Sequence, residues 1–274
     1  MAAALAPISA SERPYVFTKC GQIPDPANRS ALPKRVSAPA SIRRELEGSL
    51  RRLKVERIDL YQMHWPAEDG TPLEVYWETL LDLKKEGKVR AVGLSNHDAK
   101  QLEAAEKLGH VDTLQPPFSA IRRGAGGLEI PWCEAHLTGV IVYSPMQSGL
   151  LTGSFSEQRA ASLPANDWRS RDAEFKGAAL QRNLRVAEVM RNIAERRRTT
   201  TGAVAVAWTL AWPGVTGAIV GARGADQVDG WIDAATLSLT PSELDEIAAA
   251  IDRSGAGAGP SRPAAADAAA TAAE

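Results

Sequence analysis

At 274 residues with 44% hydrophobic side chains, the chain can bury a large core as a single domain. Its 32 basic and 33 acidic residues leave a net charge of −1, and no basic stripe persists, which argues against a nucleic-acid partner. No apolar run reaches the roughly 18 residues a membrane span needs, the apolar start lacks the basic region of a signal peptide, and Cys20 and Cys133 have no metal-ligand spacing, so a reduced, cytoplasmic setting is expected.

Along the chain, residues 1–12 read as the tail of a helix that feeds a first strand at 15–18. A Pro-rich polar loop over 22–39 follows. A helix then carries Ile42, Leu46, Leu50 and Leu53 on one face, with Ser41 as its cap. Next come a strand at 58–63, a helix at 73–85 stopped by Gly87, a strand at 89–94 and a helix at 98–108. A short strand at 113–115 and a helix at 128–135 precede a strand at 140–143 that is apolar throughout, as burial on both faces requires. Beyond an insertion with Gly, Ser, Pro and Trp168, helices are expected at 180–195 and 203–212, a strand at 218–220, and helices at 227–235 and 242–251.

This alternation argues for an α/β fold of βα units around a parallel sheet. A TIM-type (β/α)8 barrel is the best fit, with six strands where a closed barrel has eight. The shortfall falls at the N-terminus, so about two βα units are expected to be missing. No Gly-x-Gly-x-x-Gly follows any strand, which counts against a dinucleotide fold of the open-sheet kind. The barrel domain is set at residues 1–252. Residues 253–274, mostly Ala, Gly, Pro and Ser, are expected to form a disordered tail.

Three strands end on residues able to do chemistry: Lys19, His64, and the pair Ser95 and Asn96. In a parallel barrel such strand ends share one mouth. His97, His110 and His136 fit no ligand spacing, and Trp208 and Trp212, four apart on a helix, read as core. The pairs Glu103/Glu106 and Glu243/Glu246 read as solvated helix faces.

Five segments in order carry a family resemblance. They are Val16-Phe17-Thr18-Lys19, the run 57–66 around Asp59-Leu60-Tyr61-Gln62-Met63-His64, the run 87–96 ending Gly93-Leu94-Ser95-Asn96, Val142-Tyr143-Ser144-Pro145 through Gly153, and Ile219-Val220-Gly221-Ala222-Arg223 with Gln227-Val228. On these the chain resembles the aldo-keto reductases. The resemblance implies NADPH-dependent reduction of an aldehyde or ketone, with Tyr, Lys, Asp and His as the catalytic set. A lysine beside the tyrosine phenol would lower its pKa toward working pH.

By that resemblance Lys19 and His64 are catalytic. Ser95, Asn96 and Gln115 hold the nicotinamide carboxamide, and Tyr143 stacks on its ring. Ser144, Gly149 and Leu151 wrap the pyrophosphate, Gly221 and Arg223 take the 2′-phosphate, and Gln227 reaches the adenine. The family's Asp and Tyr precede its Lys; here the first Asp is Asp25, and the one earlier tyrosine, Tyr15, opens its strand. Trp231 stands where many members have Asn, and Phe118 where Tyr is frequent. The cofactor implied is NADP(H) and the partner a small carbonyl compound. A second reading is a shortened relative that binds nucleotide or acts as a scaffold, whose unpaired sheet edges favour self-association.

Overall fold

The computed structural model describes residues 2–9, 11–28 and 31–263. They divide into two compact units, Met1–Gln115 with His136–Gly139, and Pro116–Ala135 with Val140–Glu274.

In the first unit four strands pair in parallel and in chain order: β1 (Phe17–Cys20), β2 (Ile58–Met63), β3 (Val89–Ser95) and β4 (Thr113–Gln115). The register puts Lys19 beside Gln62, Gln62 beside Gly93 and Gly93 beside Thr113, so one row crosses all four strands. Helices α1 (Pro39–Leu53), α2 (Leu73–Lys85) and α3 (Ala99–Glu106) connect them. Pro39 opens α1 two residues before Ser41, since its fixed φ suits a first turn. Ser41 therefore lies inside the helix, its hydroxyl donating to Glu45 rather than capping. Asp98 and Gln101 form a reciprocal capping box at the start of α3. The loop after β1 contains an antiparallel pair, Gln22–Ile23 with Lys34–Arg35, which the sequence pattern did not suggest.

The second unit holds α4 (Glu129–Ala135), β5 (Gly139–Tyr143, from its second residue), α5 (Gly177–Arg197), α6 (Thr201–Leu210), β6 (Val215–Ile219) and α7 (Pro241–Ser254). β5 and β6 run parallel and set Tyr143 beside Ile219. Nine of the ten α6 residues are buried, in keeping with its Ala/Val composition. Its Trp208 stacks on Phe118 at 5.5 Å, and Trp212 meets the same ring edge-on at 5.0 Å. The helix expected at 227–235 is two short turns, Ala225–Gln227 and Ile232–Ala235. Glu243 is not a solvated face: it completes the α7 capping box with Thr240 and receives both Nε and Nη2 of Arg197 at 2.7 Å. Cys20 and Cys133 are free thiols, both buried.

The tail expected from residue 253 onward is corrected over its first part. α7 runs to Ser254, and the buried guanidinium of Arg123 donates to the carbonyls of Ala256 at 2.9 Å and Pro260 at 3.0 Å, and to those of Ala120 and Gly259. Gly257 and Gly259 have φ of 62° and 101°, and a Cβ at either would collide with backbone of Ile121 or Arg123. The small residues that suggested disorder are what this close approach demands. The remainder of the expected tail, from 264 onward, lies outside the described residues.

Candidate functional site

In the first unit the strand ends gather the expected polar residues. Lys19, next to last on β1, is half-buried, and burial lowers its pKa. Its ammonium has no hydrogen-bond or ion-pair partner among the described residues. His64 follows β2 directly; its backbone N–H donates to Cys20 O at 3.1 Å and its ring stacks on Trp65. Burial first, then the charges of Lys19 and Arg35, push His64 down to about 4, so it is neutral at neutral pH.

Asn96 sits at φ 62°, a left-handed position that asparagine tolerates. From there its Nδ2 donates to His64 O at 2.9 Å and to Ser95 Oγ at 3.2 Å. Ser95 Oγ in turn donates to Gln115 O at 2.9 Å. Behind them, His97 Nδ1 contacts Ser95 O at 2.8 Å, and a carbonyl only accepts, so Nδ1 carries the proton and Nε2 accepts from Tyr76 Oη at 2.8 Å. Tyr15 is 70% exposed, its ring under the Arg90 guanidinium near the start of β3, at the other end of the strands from Lys19.

In the second unit, the end of β5 opens into a cavity of about 840 Å³. Tyr143, Ser144, Gly149, Gly221, Arg223 and Gln227, all expected at a cofactor, line it. Ser144, Gln147 and Ser148 have φ of 59°, 44° and 51°, and Gly149 has φ 104°. Three non-glycine residues held left-handed within five positions is strain of the kind stored at ligand sites, and such a curled backbone forms anion-binding concavities. Gln227 Oε1 accepts from the Arg223 backbone N–H at 2.8 Å, closing the turn that presents the Arg223 side chain.

Leu151 does not belong to this lining. Its side chain is fully buried and its N–H is taken by Met146 O, because the left-handed turn before it reverses the chain into the core. Two arginines of the lining escaped sequence reasoning, and Trp231, noted there only as a departure from the family, also faces the cavity. Arg159 and Arg169 come from the insertion, and Trp231 presents a buried indole N–H that has no partner among the described residues. Arg169 is 7% exposed, with Nη2 on Asp167 at 2.6 Å and Nη1 on Ser148 O at 3.1 Å. Hydrogen bonds from Arg169, with a contribution from the Arg223 charge, hold Asp167 at about 2. The Arg159 and Arg223 guanidiniums, a curled backbone braced by the Arg169–Asp167 pair and open space at the Gly221 Cα fit a phosphate-bearing ligand. No group of three or more metal-ligating side chains occurs among the described residues, nor any helix long and apolar enough to cross a membrane.

Known proteins are similar to this chain in sequence and fold. The pattern defining the Aldo/keto reductase family covers residues 2–252. The chain is 29% identical over 209 residues to Aldo-keto reductase YhdN of Bacillus subtilis (strain 168), covering 76% of this chain and 62% of that protein's length. It is 29% identical over 255 residues to the NADH-specific methylglyoxal reductase of Escherichia coli (strain K12), covering 88% and 76%. Among solved structures, the glycerol dehydrogenase AKR11B4 of Gluconobacter oxydans superimposes with a TM-score of 0.85 at 34% identity, over 94% of this chain and 77% of that one. The expected α/β class of the (β/α)8 type is thereby borne out, carried here by six parallel strands among the described residues. With the strand-end cluster, the phosphate-suited cavity and a match over 2–252 in agreement, the chain belongs to the aldo/keto reductase family.

Proposed function

We propose that this protein is an NADP(H)-dependent oxidoreductase that interconverts small aldehydes or ketones and the corresponding alcohols. The observation that carries the reading is the cavity after β5, whose lining combines Tyr143, a left-handed loop and the arginines Arg159 and Arg223. A bound dihydronicotinamide supplies the hydride. The half-buried Tyr143 ring offers a flat face for a planar heterocycle. Arg223 offers a planar fork that pairs with a phosphate better than with a hydroxyl, which favours NADPH over NADH.

His64, neutral near pH 7, can orient a carbonyl oxygen without repelling the Lys19 cation beside it. Lys19 is the charge against which an acidic proton donor would be set. Tyr61 donates to Ile42 O and Tyr76 contacts His97, so neither of these two phenols is committed to Lys19. Methylglyoxal and glycerol, named for two relatives, are the first substrates to try. The two buried thiols suit a cytoplasmic location.

Titration of the purified chain with NADPH and NADH, read by tryptophan fluorescence, tests this. NADPH is expected to bind at least about tenfold more tightly, and Arg223→Ala to remove most of that difference. If neither nucleotide binds below about 1 mM, the proposal is wrong.

A further inference from the structure

Arg169 lines the cavity after β5, where a guanidinium ordinarily stands ready for a phosphate. This one is spent on the protein itself. Its Nε and Nη2 donate to the two carboxylate oxygens of Asp167, at 3.0 Å and 2.6 Å, and its backbone N–H donates to Asp167 Oδ1 at 3.0 Å. The remaining corner, Nη1, donates to Ser148 O at 3.1 Å. The guanidinium stands over the Phe155 ring, 6.0 Å from its centre. Arg169 is thus a buried part of the wall and not a free cation.

Ser148 is where such a bond has an effect. It holds φ 51° and ψ 31°, a left-handed conformation that is unfavourable for a residue with a Cβ. It sits between Gln147 at φ 44° and Gly149 at φ 104°. A charge-assisted hydrogen bond to its carbonyl fixes the orientation of the peptide that joins Ser148 to Gly149. The anchor on the other side is held as well. Asp167 opens the short turn Trp168–Ser170, in which Ser170 donates to Asp167 O from both its N–H and its hydroxyl, at 3.0 Å and 2.7 Å. Asp167 itself is not among the lining residues. A carboxylate close to a phosphate is unfavourable by charge alone, so any help it gives to binding must pass through Arg169.

We propose that Asp167 is a positioning residue for dinucleotide binding: by holding two corners of the Arg169 fork it aims the third at the Ser148 carbonyl, and so keeps the loop after β5 curled for phosphate before a ligand arrives. The inference rests on the dinucleotide reading above and adds to it the device that shapes the phosphate loop in advance. Such preorganisation improves affinity because the loop is ordered during folding and not at the moment of binding.

Asp167→Asn keeps the shape of the side chain, but its NH2 group would face an N–H of the fork and cannot accept from it. Charge alone predicts tighter NADPH binding in this variant and loss of aim predicts weaker binding, so the sign decides between them. Isothermal titration of the full chain is expected to show about tenfold weaker binding. Arg169→Lys keeps the cation but cannot hold Asp167 and Ser148 in the same way, and is expected to lose about as much. Because Asp167 acts through Arg169, the double variant is expected to bind no worse than Arg169→Lys alone. Circular dichroism melts identify a variant that fails to fold, and the other single variant then carries the test. A folded Asp167→Asn that binds NADPH as tightly as the wild type, or more tightly, overturns this inference alone, as do losses that add in the double variant. Failure of the wild type to bind NADPH below about 1 mM overturns the dinucleotide reading and this inference together.

Discussion

His97 shows how a single buried side chain couples the site to pH. Enclosed by Tyr76 and the Ser95 carbonyl, it is pushed down to about 4, chiefly by burial. Its folded pKa lies below the unfolded value of about 6.5, so the stability it contributes is present above pH 6.5 and is lost as pH falls through 4; for a shift of this size that is about 3 kcal/mol. His64 is displaced in the same direction. Urea midpoints are therefore expected to fall between pH 6.5 and pH 4, and less steeply in His97→Asn; a flat wild-type profile contradicts this. Residue identity was readable in the sequence where a motif names it, and side-chain direction was not. Leu151 sits at the motif position and points into the core, whereas Arg169, in an insertion without periodicity, is buried on the cavity wall by its pairing with Asp167.

At the scale of elements, the curled loop after β5 is the most constrained segment of the cavity. Gly149→Ala would place a Cβ at φ 104°, 3.6 Å from the Arg169 guanidinium. The expected cost is about 1–2 kcal/mol of stability together with weaker NADPH binding, read by chemical denaturation and titration. A melt and an affinity both unchanged would mean the loop's shape is not needed. At α7, Thr240→Ala removes the acceptor for the Glu243 N–H and is expected to cost about 1 kcal/mol by the same melts. β2 and α2 were legible in sequence to their last residues, because the first puts Ile58 and Leu60 on one face and Tyr61 and Met63 on the other, despite Asp59 and Gln62, and the second stops just before Gly87 with φ 74°. β6 was set too late, since Thr216 and Gly217 break its apolar run and no face of it is fully buried. The pair Gln22–Ile23 and Lys34–Arg35 has only two residues per strand, too few for an alternation to show.

Over the whole molecule, the order of the six strands and the parallel class followed from alternation alone, while the path of the chain after α7 did not. Composition there is poor in apolar residues, and what holds residues 256–260 is one cation more than 130 positions upstream in sequence. Arg123 makes its bonds to main-chain carbonyls, so no side-chain pattern announces them. Arg123→Met is expected to leave these carbonyls without donors and to make the segment after Ser254 a site of early proteolysis. Mass spectrometry of limited digests would show that cut before any cut within α7; a digest identical to the wild type's removes Arg123 as the tether.

The two sulfhydryls have a practical corollary. Cys133 is raised to about 12 and Cys20 is raised further, both mainly by burial, so almost no thiolate exists at pH 8. The folded protein is thus chemically silent toward maleimides and iodoacetamide, and both sulfurs should react once it is denatured. Any cysteine introduced on the surface becomes the single addressable point on the molecule. A dye attached beside Arg223 could then report each arrival and departure of ligand from the cavity, with no background from the native sulfurs.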